Sequence, residues 1–232
     1  LSEAQVVGAV QLEEVKADRI DFEQSRLEHA GSVALLIKKA EVEGWGSLKL
    51  SEAQVVGAVQ LEEVKADGID FKQSRLEHAG SVALLIKKAE VGKWVRLGEA
   101  QVVAAVQLEE IRASDIDMRQ SRLEHAGSVA LLIKEAEVGE KVALEGAQVV
   151  GAVQLEGSEV PTISLSEACL ESPDMPALQI RGMRDFSLKG LKDLSVQGAL
   201  EMEDVEIVWP SLTQMARPFS SVHIRRGVIR SL

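Results

Sequence analysis

The 42 residues that begin at Leu1, LSEAQVVGAVQLEEVKADRIDFEQSRLEHAGSVALLIKKAEV, return at Leu50 with two changes, Arg19 to Gly68 and Glu23 to Lys72. A chain made of copies of one segment must fold by stacking that segment, so the repeat constrains the architecture before any local propensity does. A third copy starts at Leu97 with more changes, and a fourth at Leu144 keeps AQVVGAVQLE but carries SLSEACLESPDMPALQI in place of the rest. The fifth is faint: GALEMEDVEI (198–207) aligns with GAVQLEGSEV (151–160), and SLTQ (211–214) with SLSE (164–167). The copies lie near 1–49, 50–96, 97–143, 144–190 and 191–232, with no linker between them, so 1–232 reads as one repeat domain. Leu1 already falls inside the pattern, and the chain is therefore expected to be a fragment of a longer one.

A shorter beat runs inside each copy. Apolar or small pairs fall at Val10/Leu12, Val15/Ala17, Ile20/Phe22, Ser25/Leu27, Ala30/Ser32, Leu35/Ile37 and Ala40/Val42. Members of a pair are two residues apart, which places both on one face of an extended strand. The pairs recur every five residues, and on an α-helix a step of five turns by about 140°, which would scatter them. A helical solenoid is the competing reading, because Leu12, Val15, Phe22, Ala30 and Val33 can be laid along a rough helical face. The β-branched and glycine-interrupted runs VVGAVQL and SVALLI favour strands.

Each copy also divides in two, since VALLIKKAEV (33–42) aligns with GAVQLEEVKA (57–66). Followed along the chain, one column reads Leu12, Ile37, Leu61, Ile86, Leu108, Ile133, Leu155, Ile180, Met202, Ile224. The steps of 22–25 residues suit one coil of a parallel β-solenoid, and the aliphatic character suits an inward stack. The next column reads Glu13, Lys38, Glu62, Lys87, Glu109, Lys134, Glu156, Arg181, Glu203, Arg225. Stacked strands lie about 4.8 Å apart, where like charges repel and opposite charges pair. The sign alternates at every step, even where the fourth copy has diverged. A second charged column, Lys16, Glu41, Lys65, Glu90, Arg112, Glu137, breaks at Glu159 and resumes with Arg184 and Glu206. Such surface pairs are worth a few tenths of a kcal/mol each, so their use is to fix register. The expected fold is all-β: one parallel β-helix of about ten coils, a rod ~48 Å long. Units of 11, 11, 10 and 15 residues, from Ala89, Ala100, Ile111 and Ser121, leave the longest one holding HAGSVA, so a corner of alternate coils should bulge there.

IDFEQSRLEHA (20–30) resembles the bacterial pentapeptide-repeat pattern of a small residue, a polar one, Leu or Phe, then two polar ones. The VVGAVQL-type units and the PDMPAL insert are similar to actinobacterial pentapeptide-repeat-like proteins, over nearly the whole chain. The resemblance implies a right-handed, four-sided β-helix, and the 11- and 15-residue units depart from its strict period. Some proteins of this type are acidic rods that imitate DNA and bind topoisomerases.

The net charge of -11 argues against a generic nucleic-acid binder, which would carry a basic stripe, and fits a soluble protein or one that meets a basic partner. No acidic residue follows Glu206, only Arg217, Arg225, Arg226 and Arg230. Cys169 is the sole cysteine, so there is no internal disulfide framework, and a reducing, cytoplasmic setting is expected. No apolar run reaches the roughly 18–20 residues of a membrane span, and no signal peptide is visible.

Chemistry-bearing residues are absorbed by the repeat. His29, His78 and His125 recur at one position, but on alternate coils about 9–10 Å apart, too far to share a zinc ion. Cys169 replaces Arg122 of the third copy and has no His motif beside it. Gly8, Gly57, Gly151 and Gly198 stand singly at a corner and form no phosphate-cradling loop. The doublets Glu13/Glu14, Glu62/Glu63 and Glu109/Glu110 face lysines rather than one another. Trp45, Trp94 and Trp209 sit where the copies vary, as corner fillers or as a binding stripe. No catalytic, cofactor-binding or metal-ligating residue is assigned. The expected role is a non-catalytic structural or protein-interaction module, its partner another protein or a second copy. A topoisomerase-binding DNA mimic and a carbohydrate-active β-helix enzyme stand as alternatives.

Overall fold

The computed structural model describes residues 1–44, 46–209 and 218–229, and only the backbone of Trp209. Trp45, Arg217, Arg230 and the SLTQ segment of the fifth copy lie outside the described residues. Among the described residues every regular element is a strand, and all pair in parallel. They stack as a β-solenoid of the right-handed type, of about nine turns. The expected ten coils correspond to ten rungs, which bound nine intervals.

The first coil displays the plan. β1 (Gln5–Val7), β2 (Val10–Glu13), β3 (Lys16–Ala17) and β4 (Ile20–Asp21) are four short legs separated by corners. β5 (Arg26–Lys38) carries the first two legs of the next coil as one strand. First and second legs of all coils form a 13-stranded sheet, and third and fourth legs a 12-stranded one. The cross-section is therefore four-legged but built of two sheets.

The register follows the inward column. Leu12 pairs with Ile37, Ile37 with Leu61, Leu61 with Ile86, and so on through Met202 with Ile224. From Ile37 to Met202 these side chains are buried, each stabilising the rod by about 1.5–3 kcal/mol relative to exposure. A second buried stack alternates size, with Phe22, Leu50, Phe71, Leu97, Met118 and Leu144 on successive coils. Alternation of large and smaller groups lets layers interdigitate at crystal-like density.

Corners are made by single residues with left-handed backbone. Glu14, Lys39, Glu63, Lys88, Glu110 and Glu135 take φ of 51–55°, and Gly157 and Gly182 take 58° and 63°. The fourth-leg corner of alternate coils is closed by an aspartate: Asp21, Asp70 and Asp117 accept the backbone N–H of Glu23, Lys72 and Arg119 at 2.9, 2.9 and 3.1 Å. This is the Asx-type turn that short acidic side chains favour. Below it, buried Ser25 and Ser121 donate to the carbonyls of Phe22 and Met118 at 2.6 and 2.7 Å.

One inward pair is corrected. Ala30 and Ser32 are exposed, whereas the pairs from Ile20/Phe22 to Ser25/Leu27 and from Leu35/Ile37 to Ala40/Val42 are buried. The reason is the expected bulge. Between Glu28↔Val56 and Leu35↔Val59 only Val33↔Ala58 pairs, so seven steps on one strand span three on its neighbour. The surplus leaves the sheet as an arch, which recurs at His78 and His125.

Candidate functional site

The outer face of the first legs, bordered by these arches, is the most strongly repeated surface. The strands Arg26–Lys38, Arg75–Lys87 and Arg122–Lys134 share the sequence RLEHAGSVALLIK. Alternation puts Leu27, Leu76 and Leu123 in the core and the flanking Arg and Glu outside. Arg26 pairs with Glu28, Arg75 with Glu77 and Arg122 with Glu124 on the same strand. Between them lie Gln54/Val56, Gln101/Val103 and Gln148/Val150. Val7 at the first rung is 87% exposed and Val103 44%. Apolar and ion-paired stripes thus alternate with a two-rung period of about 9–10 Å.

The first and third arches lean on a glycine of the following coil. A Cβ on Gly57 would stand 2.6 Å from the His29 carbonyl oxygen, and one on Gly151 would stand 2.6 Å from that of His125. Both glycines are left-handed, φ 126° and 122°. His29 and His125 hold their arches through Nδ1, which donates to the carbonyls of Val33 and Val129 at 3.1 and 3.0 Å. A carbonyl can only accept, so this contact sets the tautomer and leaves Nε2 as the acceptor. The middle arch differs. Its glycine position is taken by Ala104, at φ 94°, and His78 Nδ1 is buried without a partner. Gly31 and Gly127 have φ of 76° and 71°, whereas Gly80 is not left-handed. The methyl of Ala104 fills the room that the other arches use.

The remaining sequence candidates are placed as follows. The histidines sit on alternate rungs, and no group of three or more His, Cys, Asp or Glu suited to a metal is found among the described residues. Cys169 lies between Gln148 and Ser195, 3.6 Å from a Glu171 oxygen. Burial, then the hydrogen bond and charge of Glu171, push its thiol pKa up, which disfavours the nucleophilic thiolate. The glutamate doublets meet lysines: Lys39–Glu14 at 3.2 Å, Lys38–Glu62 at 3.6 Å, and Lys87 to Glu109 and Glu110 at 3.1 and 3.9 Å. The other charged column closes at Lys16–Glu41, Lys65–Glu90 and Arg112–Glu137, at 2.8–2.9 Å, and meets a like charge where Glu137 bridges Glu159.

Trp94 rests on Gly68, where a Cβ would fall 2.6–2.8 Å from the indole. The Arg19-to-Gly68 change between the first two copies therefore makes its seat. The Arg96 guanidinium stacks on the ring at 4.0 Å from the centroid. A groove of about 520 Å³ beyond it is lined by Lys72, Arg96, Glu99, Asp117, Arg119 and Glu145. Its charges neutralise one another, with Lys72–Glu99 at 3.2 Å and Arg119–Asp117 at 2.6 Å. Burial raises the Asp117 pKa, but the side-chain and backbone hydrogen bonds from Arg119 outweigh it, and the net shift is downward.

The arched face escaped sequence reading because its Arg and Glu look like ordinary solvated charges. The signal available was the survival of 13 unchanged residues in a third copy that varies elsewhere.

These features define a parallel β-solenoid whose repeated surface is lateral, with a depression of about 260 Å³ lined by Arg75, Glu77, Gln101, Val103, Arg122 and Glu124. No protein-family model matches the chain, and no curated protein matches its sequence. Among the described residues no helix is long and apolar enough to cross a membrane.

Proposed function

We propose that this chain is a non-catalytic structural or interaction module, a stiff rod that presents its arched first-leg face to a protein partner. The observation that carries this reading is the arch itself. The fourth copy keeps an excursion of the same length, seven steps from Glu171 to Leu178 against three on the strand below, but writes it as SPDMPA, so stacking does not require the HAGSVA sequence. A sequence repeated unchanged, on an excursion that folds equally with other residues, is accounted for by what it presents to solvent. The pentapeptide-type, bacterial ancestry is supported by four legs per coil and inward pairs two residues apart. A reducing, cytoplasmic setting is supported by the single cysteine, which has no partner for a disulfide within the chain. A DNA-mimic role needs continuous rows of carboxylate, and here Glu alternates with Lys or Arg along the columns.

The test is partner capture by immobilised chain, compared with Arg26→Glu/Arg75→Glu/Arg122→Glu. Loss of the captured protein with an unchanged circular-dichroism spectrum supports the reading. Equal capture by both, or none by the wild type, removes it.

A further inference from the structure

The copies serve as controls for one another, and at one corner the third departs from the first two in three neighbouring ways. This corner joins the fourth leg of one coil to the first leg of the next. The last residues of the fourth legs stack as a further column of alternating charge, Asp21, Lys49, Asp70, Arg96, Asp117, which then reads Ala143 and Ser164. Asp70 stands between two cations, whereas Asp117 has Arg96 on one side and the buried methyl of Ala143 on the other. At the turn itself, Gln24 donates to Glu52 and Gln73 to Glu99, at 3.0 and 2.8 Å. Gln120 holds the equivalent backbone place, its N–H on the Glu145 carbonyl at 2.9 Å, but the residue over it is Gly146, where a Cβ would stand 3.4 Å from the Gln120 Cγ. The carboxylate that would engage its amide is therefore missing. Finally, Glu145 takes the place of Ser51 and Gly98, and its Oε2 is buried without a hydrogen-bond partner.

The groove of about 520 Å³ lies over this corner, in the size range of small-ligand sites. Its three cations are already engaged: Lys72 by Glu99, Arg119 by Asp117, and Arg96 on the Trp94 ring. Two carboxylates of the lining stand outside those pairs. Glu145 meets Lys141 at 4.0 Å through Oε1 only, and Glu167 forms no ion pair among the described residues. The groove thus holds three acceptors without an internal donor, the Gln120 amide oxygen, Glu145 Oε2 and the Glu167 carboxylate, on three successive rungs about 4.8 Å apart. The group that would complete it is a cation at the level of Ala143 with N–H donors pointing several ways. An ammonium is a compact point charge, whereas a planar guanidinium spreads five donors and loses less on leaving water. Arg96 supplies that group one copy earlier.

We infer that this groove binds a guanidinium group, carried by an arginine of a partner protein or by a free small molecule, with Glu145 as its principal carboxylate. The site uses no residue of the arched face and stands whether or not that face binds.

The experiment is an NMR titration of the ¹⁵N-labelled chain with N-acetyl-argininamide, free arginine and N-acetyl-lysinamide. The arginine compounds should give saturable shifts at Gln120, Gly146 and Ser166 and none at the matching corner of Gln24 and Glu52. The lysine compound should bind about ten-fold more weakly. Tighter binding of the blocked amide marks a protein-borne arginine as the source, and tighter binding of free arginine a small molecule. Two variants install residues that other copies carry at the same place. Glu145→Ser, which restores the residue of Ser51, should weaken binding about ten-fold. Ala143→Arg, which restores that of Arg96, supplies the cation from within and should abolish the shifts. If Ala143→Arg fails to fold, Glu145→Ser decides. The proposal is overturned by the absence of saturable shifts, by equal shifts at the Gln24 corner, by a lysine compound that binds as tightly, by unchanged affinity in Glu145→Ser, or by wild-type affinity in folded Ala143→Arg.

Discussion

The three N-terminal copies and the region after Glu156 build the same coil by different means. In the former, the arch-bearing strands run for 13 residues; in the latter, no described strand exceeds four. The second-leg corners that are Glu or Lys in the first region are Gly157, Gly182, Asp204 and Arg226 in the second, and Pro173 and Pro176 stand within the excursion that replaces the HAGSVA arch. Yet Leu155, Ile180, Met202 and Ile224 stay in register with the copies below them. What the regions share is the inward column and a left-handed residue at the corner that follows the second leg. Strand length and the HAGSVA sequence of the arch are additions to that frame, since the excursion itself persists between Glu171 and Leu178.

If the column is the frame, equal cavities should cost alike in both regions. Ile133→Ala and Ile180→Ala, each fully buried, are expected to lose about 2–5 kcal/mol in urea denaturation. A loss below about 1 kcal/mol at Ile180 alone would show that the diverged coils are held by something else.

The arches sharpen the comparison next. Gly151→Ala forces a methyl toward the His125 carbonyl at a left-handed position and should cost about 1–3 kcal/mol. Ala104→Gly should do the reverse, gaining up to about 1 kcal/mol. It should also convert the middle arch to the form of its neighbours, bringing the His78 Nδ1–H signal in NMR to the position of those of His29 and His125. An unchanged His78 resonance would break the link between Ala104 and that arch.

The corners come third. Glu63 is left-handed at φ 54°, which costs a non-glycine residue about 1–2 kcal/mol, partly offset by the extra unfolded-state freedom of glycine. Glu63→Gly should stabilise by less than about 1 kcal/mol, and Gly157→Glu should destabilise by a similar amount. Two changes of the same sign would mean the corners are not interchangeable.

The register was legible because aliphatic identity recurs and charge sign alternates from coil to coil, and neither pattern survives a slip of one residue. The Ala30/Ser32 pair was misread as inward because small residues fit a crowded core and an exposed arch equally well. Nothing in the pattern distinguished Ala104 from its glycine neighbours at 57 and 151, since the difference lies in a φ angle and in the carbonyls of the coil beneath. Trp94 was open between filler and binding stripe, because sequence alone does not show that Gly68 makes room for its indole or that Arg96 stacks on it. The arched face needed three dimensions, because Arg75 and Gln101 are neighbours only after a full turn.

The smallest effect tests whether charge sign contributes to register at all. Lys87 pairs with Glu62 on one side and Glu109 on the other, and the hydrogen bond to Glu109, then its charge, raises the Lys87 pKa. Lys87→Glu aligns three carboxylates and should lower the melting temperature, while Lys87→Arg should not. Arg181→Glu, between Glu156 and Glu203, is the same test in the diverged region and should shift in the same direction. Because the folded pKa of Lys87 is raised, its contribution is fully present below the ordinary lysine value of about 10.4 and is lost as pH rises through the folded one. The gap between wild type and Lys87→Gln should therefore be flat through neutral pH and close in strong alkali. Added salt should shrink it, since the pair is exposed. Equal melting temperatures for Lys87→Glu and Lys87→Arg would mean that the aliphatic column alone sets the register, and that sign alternation is a passenger of the duplication.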